Sequence, residues 1–307
     1  MGRFLIIRLV QAVMALVLLS MLVFVLSRII GNPLDIMLPP DSPPEVKARL
    51  TESMGLNKPL YIQYLTYMKQ LMRGDLGKSV RSRETVTESL RARLPASLSL
   101  AAVAMVFTVV MAFPLGMLAA VKRGTPLETI AKILALSGQS LPAFWVGILL
   151  IHLFSLKLDW LPPSGSGGPT HYIMPAFTMS LFVVAGVSRL LRTGLLEVLD
   201  SEFVRFARSK GVSERSIFWK HALRNSLVPV LGFAGVYLSI FVTMAVVVEV
   251  VFAWPGVGRL AFNAIFLRDY PLIQGVVLLT GVIVIAVNFV VDLLYAVVDP
   301  RIRYGGA

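Results

Sequence analysis

The chain of 307 residues is 56% hydrophobic and only 15% charged, with a mean hydropathy of +0.78, whereas soluble domains carry about 25% charge. Apolar runs long enough to cross a hydrocarbon core of roughly 30 Å recur along it, which excludes a soluble enzyme or binding module and marks an integral membrane protein. The formal charge of +12 never stands free of those runs, so it reads as cytoplasmic-loop basicity facing anionic lipid and not as a nucleic-acid surface.

The chain contains no cysteine, so disulfides and thiolate metal sites are excluded. His152, His171 and His221 are too scattered for a metal cluster.

The N-terminus, MGRFLIIRLVQAVMALVLLSMLVFVLSRII, has the basic start of a signal peptide. Its apolar run exceeds an h-region and no small-residue cleavage site follows, so it reads as an uncleaved first span. Six spans are expected, at Leu9–Ile30, Leu98–Ala120, Ile133–Phe154, Ile173–Leu190, Leu227–Phe252 and Leu272–Val298. Arg3 and Arg8, the loop KRGTPLETIAK, the stretch from Glu202 to Pro229 and the tail DPRIRYGGA are all rich in Lys/Arg and fall on one side. That side is cytoplasmic, with both termini inside. The expected fold class is an all-α membrane protein with six transmembrane helices.

Three regions follow: residues 1–30 as the N-terminal segment and first span, 31–93 as an extracytoplasmic loop, and 94–307 as a five-helix core with a cytoplasmic loop at about 192–229. The outer loop holds ten Lys/Arg against seven Asp/Glu, but loops beyond about 60 residues translocate regardless of charge. Its pattern of Leu60, Tyr64, Tyr67, Met68 and Leu71 predicts short helices on the outer surface. Gly77-Lys78-Ser79 is half of a P-loop; the preceding glycine it needs is replaced by Met72, so the match is accidental.

The span middles hold no Asp, Glu, Lys or Arg, which leaves no proton relay, paired-carboxylate hydrolase or zinc hydrolase to propose. No catalytic residue, cofactor or metal is expected. Energy for any uphill transport comes more simply from a partner than from ion coupling through backbone carbonyls.

One stretch departs from its oily surroundings: EFVRFARSKGVSERSIFWKHALRNSLVP, Glu202 to Pro229. Leu195, Leu196, Leu199, Phe203 and Phe206 continue the fourth span at helical spacing, which predicts one helix running to Lys210 and ended by a left-handed Gly211. Ser213 is placed to cap a second helix with Glu214 in its first turn. Ile217, Phe218, His221, Ala222 and Asn225 share a face of that helix. A helix presented at a sharp turn suits another protein's groove; an interfacial loop snorkelling into lipid headgroups is the plainer alternative.

The stretch resembles the EAA loop of ABC-importer permeases, E-A-A-x3-G-x9-I-x-L-P. Ala207, Gly211 and Leu223 match, whereas Arg205 and Phe206 replace the first two letters, His221 the Ile and Arg224 the Pro. It is closer to the peptide-transport subfamily, whose Y-V-R-T-A-R-A-K-G-x-S-E…H-A-L-R-N-x-x-x-P-V it follows nearly throughout. MGLNKPLYIQYL…MRGDLGKSV, VVVEVVFAWPGVGRL, RDYPLIQG and NFVVDLLYAVVDPRIRYG are likewise similar to dipeptide, oligopeptide, glutathione and nickel permeases, in particular the type with a long first outer loop.

The resemblance implies a type I ABC-importer permease fold in a bacterial or archaeal cytoplasmic membrane. It implies a non-enzymatic subunit that pairs with a second homologous permease, two cytoplasmic ABC ATPases and an extracytoplasmic substrate-binding protein. Di- or oligopeptides are the expected cargo, with glutathione or a nickel chelate as the alternative. A free-standing secondary transporter or channel is the alternative of a different class. ATPase docking is expected at Arg205, Ala207, Lys210, Gly211, Ser213 and Arg215. Gln139, Ser140 and Asn288 are candidates for the translocation path, and Glu249 and Trp254 for an outer gate or binding-protein contact.

Overall fold

The chain is described here by a computed structural model covering residues 2–30, 43–53 and 55–298. In chain order the helices are α1 (Gly2–Ile30), α2 (Pro44–Ser53), α3 (Leu60–Met72), α4 (Val86–Val121), α5 (Pro126–Ser140), α6 (Ala143–Lys157) and α7 (Thr170–Leu199). They continue with α8 (Glu202–Ser209), α9 (Glu214–Gly232), α10 (Ala234–Val251), α11 (Val257–Phe266) and α12 (Tyr270–Val298). The basic tail 299–307 and the start of the outer loop, 31–42, lie outside the described residues.

Among the described residues four helices are long and apolar enough to cross a membrane singly: Ile6–Ile29 of α1, then α4, α7, and Tyr270–Leu293 of α12. Two bent pairs, α5 with α6 and α9 with α10, bring the number to six if each crosses once.

Both bent pairs correct the straight spans expected from the sequence. The segment Ile133–Phe154 folds through 102° between α5 and α6. Leu141 and Pro142 are extended there, with ψ of 135° and 132°. Proline disfavours helical backbone at the residue before it and supplies no N–H. In the second pair the bend of 53° falls at Phe233 (φ −94°, ψ −1°) and Pro229 lies inside α9. Its carbonyl still accepts from the Phe233 N–H at 3.3 Å.

The chain divides into two contact units. One comprises Leu98–Trp254 with the chain from Val287 onward. Its hub is α7, whose spanning window is 61% buried against 17%, 22% and 11% for α1, α4 and α12. Helices reach α7 where side chains are absent. A Cβ on Gly116 of α4 would lie 2.8 Å from the Ser188 carbonyl oxygen, one on Gly138 of α5 2.7 Å from that of Leu181, and one on Gly194 of α7 3.1 Å from Ser226 of α9. Close backbone approach through small residues is how membrane helices associate without a hydrophobic driving force.

The other unit comprises Gly2–Ser97 with Pro255–Ala286. Its core joins Val86 and Leu90 of α4 to Val257, Leu260 and Ala264 of α11 and to Leu272 and Val276 of α12. The P-loop-like fragment is part of this scaffold. Ser79 is buried and donates its hydroxyl to Asp269, which also receives the Val80 and Arg81 amides at 3.3 and 3.4 Å and the Leu272 amide of α12 at 3.4 Å. Asp269 thus ties the segment 79–81 to the start of α12. Asp269→Ala leaves buried donors unmet, so it is expected to cost about 1–3 kcal/mol, measured as a lower melting temperature of the purified protein.

Candidate functional site

The stretch that stood out in the sequence forms a helix–turn–helix. Helix α7 stops at Leu199, one break short of the continuous helix expected through Lys210. Asp200 closes it, and Ser201 is extended (φ −72°, ψ 151°) at the N-cap of α8. Asp-Ser-Glu at 200–202 is a helix-start signature that the apolar spacing overrode. After the break Val204 is the buried anchor of α8, while Phe203 and Phe206, which continue the apolar spacing of α7, are 50% and 59% exposed.

The turn follows from one residue. Gly211 has φ +78° with nothing near its missing Cβ, so backbone conformation and not crowding requires glycine there. Its N–H donates to the Arg208 carbonyl at 2.9 Å, and the Val212 N–H to that of Ala207 at 3.1 Å, which closes α8. Arg208 spans the turn, its Nε and second guanidinium nitrogen donating to the two carboxylate oxygens of Glu214 at 2.7 and 3.2 Å. That pairing raises the Arg208 pKa above its ordinary value.

Ser213 stands at the N-cap of α9 as expected, but its side chain makes no capping hydrogen bond; the turn rests on Gly211 and Arg208. Arg205 is held by Glu202 at 2.9 Å, the Lys210 ammonium lies 4.4 Å from the centre of the Phe206 ring, and Ala207 is half-buried. Lys210, Gly211, Ser213 and Arg215 are exposed. The tip therefore presents cations around two apolar groups, Phe206 and Val212.

Its root is firmly packed. After a first turn at Glu214–Ser216, α9 widens into a π segment, Ile217–Ala222, whose Ile217 and Ala222 are fully buried. Ala222 joins Leu191 and Leu195 of α7 and Ala120 of α4 in one cluster. Phe203 meets the His221 ring edge-to-face at 5.3 Å, which ties α8 to α9.

The other expected residues lie apart from the hairpin. Gln139 and Ser140 are exposed at the end of α5, beside the bend; the Ser140 hydroxyl donates back to Leu136. Asn288 is half-buried and donates to Ser239 of α10 at 3.2 Å, an interhelical contact. Glu249 and Trp254 are fully buried, with Trp254 edge-on to Tyr172 at 4.6 Å. Burial leaves neither a surface on which a binding protein could dock in this conformation.

The sequence profile of the binding-protein-dependent transport system inner membrane component matches residues 112–304, and its N-terminal counterpart matches residues 1–101. The chain belongs to this family of inner-membrane permeases. It is 38% identical over 97% of both chains to the glutathione transport system permease protein GsiC of Escherichia coli strain K12, and 37% identical, with the same coverage, to that of Salmonella typhimurium. Its fold is similar to that of the inward-facing MetNI methionine ABC transporter (TM-score 0.58, 18% identity, 69% of this chain and 96% of that one). It is also similar to an amino acid ABC transporter (TM-score 0.52, 16% identity, 70% and 94%). The permease is a multi-pass inner-membrane subunit of an ABC importer, without catalytic chemistry of its own; such permeases work with ATPases and a binding protein.

One feature of the permease escaped the sequence. Glu128 of α5 is buried and accepts from Arg192 of α7 and Lys132, each at 2.5 Å, and from the Gly124 N–H at 2.7 Å. Arg123 meets Asp200, at the root of α8, at 3.0 Å. The loop 122–128 is thereby pinned to α7 just before the hairpin. Glu128→Ala and Arg192→Ala are each expected to reduce the monodisperse fraction on size-exclusion chromatography. Because they share one partnership, the double variant should fall short of the summed losses.

Proposed function

We propose that this permease forms, with a second homologous permease, the translocation path of an ATP-driven glutathione importer. The observation that carries this reading is 38% identity across 97% of both chains to permeases named for glutathione transport. The reading takes up glutathione, the alternative cargo, in place of the di- and oligopeptides expected first from the sequence, because the similar permeases are named for glutathione.

In this reading the tip of α8 seats in a groove of the cytoplasmic ATPase. Phe206 and Val212 fill it, and Arg205, Lys210 and Arg215 face acidic walls. Closure of the two ATPases displaces the tip. Val204, the Phe203–His221 stack and the Leu191–Leu195–Ala222 cluster carry the displacement into α7 and α9, which rock the bundle between inward and outward access. Gln139 and Ser140, exposed at the bend, border the path; Asn288 acts by holding α12 to α10. Glu249 and Trp254 serve an outer gate from within the packing.

The test is uptake of radiolabelled glutathione into proteoliposomes holding both permeases, the ATPases and the binding protein. ATP-dependent glutathione uptake that excess dipeptide fails to suppress supports the reading. Uptake of dipeptides in preference to glutathione overturns the substrate, and flux without the ATPases overturns the coupling.

A further inference from the structure

Helix α7 is buried around most of its circumference, yet one polar lane along it stays open. Arg189, Thr193 and Glu197 are exposed at four-residue spacing, which puts them on one face. Val183 to Ser188, Leu191, Gly194 and Leu195 around them are buried. The lane has fixed flanks. On one side α5 reaches α7 at Leu181 and Arg192. On the other α10 reaches it at Gly186, where the Tyr237 hydroxyl oxygen lies 2.7 Å from the position a Cβ would take.

Arg189 follows Gly186 by one turn, and helical side chains lean back towards the N-terminus. Its guanidinium and the Tyr237 hydroxyl therefore share one stretch of the lane, close enough to interact electrostatically. Neither group is spent. Among the described residues the Arg189 guanidinium has no ion pair or hydrogen bond, and the Tyr237 hydroxyl has no hydrogen-bond partner. Arg189 is exposed and the Tyr237 hydroxyl keeps accessible surface, whereas Nε of the neighbouring Arg192 is sealed off.

A guanidinium in the last turn of the span expected at Ile173–Leu190 is costly unless it faces water and an anion. Thr193 and Glu197 continue the lane as a hydrophilic face, which a helix turned to lipid does not present. The fork of Arg189 and the phenol of Tyr237 converge on the same space, and the group that meets both is a carboxylate.

We propose that Arg189 and Tyr237 form a transit site for a carboxylate of the peptide cargo, the guanidinium donating to both oxygens and the phenol to one. The site rests on the reading of this permease as an importer of peptide-like cargo. Glutathione carries two carboxylates and one ammonium, a net negative charge, and every free peptide ends in the same group. The site thus selects a chemistry common to the class.

The test counts glutathione molecules imported per ATP hydrolysed in proteoliposomes holding the full complex. Arg189→Gln is expected to lower that ratio about tenfold and Tyr237→Phe about threefold, with Arg189→Lys falling between them. A ratio unchanged in both Arg189→Gln and Tyr237→Phe overturns the site, even where uptake and hydrolysis fall together, because that parallel loss marks damaged folding or assembly. The same variants are assayed in vesicles of phosphatidylethanolamine and phosphatidylcholine, without anionic lipid. A defect that disappears there assigns Arg189 to lipid headgroups and overturns the cargo carboxylate. Should the wild type carry a dipeptide and not glutathione, the cargo named above falls while this site stands on its own measurement: the dipeptide's terminal carboxylate must then show the same losses.

Discussion

Replacing Gly211 by proline is expected to abolish ATP-driven uptake while leaving the permease inserted in the membrane. Gly211 sits at φ +78° and donates its N–H to Arg208; proline fixes φ near −65° and has no N–H. Both requirements of the turn fail together, at a cost of about 3 kcal/mol or more, enough to depopulate the native turn about a hundredfold. The loss stays local, because no heavy atom lies within 4 Å of the position a Cβ would take there. Gly211→Ala, which keeps the N–H, is the graded companion, costing about 1–2 kcal/mol for the left-handed conformation. Uptake in proteoliposomes and membrane yield should be measured in parallel. Full uptake by the proline variant would refute the docking role of the hairpin.

The second large effect is on folding. Gly138→Val is expected to remove most of the monodisperse permease from detergent extracts. A Cβ there would meet the Leu181 carbonyl oxygen at 2.7 Å and the Leu181 Cβ at 2.9 Å. Both are fixed to the α7 backbone, so no rotamer change relieves the contact and α5 must move away. Overpacking of this kind costs about 1–3 kcal/mol and more when backbone is displaced, outweighing the helix propensity gained, at most about 1 kcal/mol. Gly168→Ala is the control, since nothing lies within 4 Å of its Cβ position; an equal loss there would contradict the packing explanation.

The membrane class and the turn at Gly211 were legible because each is written locally: long apolar runs, and a glycine closing a basic amphipathic segment. The break at Asp200–Ser201 was written there too, in its cap residues. The spacing of Leu195, Leu199, Phe203 and Phe206 concealed it, since two helices in tandem leave the same apolar period as one. The bend at Leu141–Pro142 hid inside a run oily enough to cross a membrane straight. Glu128 was illegible for another reason: its partner Arg192 is 64 positions away, and the loop around it reads simply as basic. The burial of Glu249 and Trp254 likewise depends on helices distant in sequence.

The glycine crossings on α7 have a consequence for how force travels. Contacts made by long side chains have play, because a rotamer change absorbs an ångström of displacement before the next helix feels it. At Gly116, Gly138 and Gly194 the helices approach α7 too closely for that, so the joint has almost no backlash. On the proposed coupling, a small stroke at the hairpin would be delivered along α7 nearly undiminished. The same stiffness makes these crossings intolerant of an added methyl group.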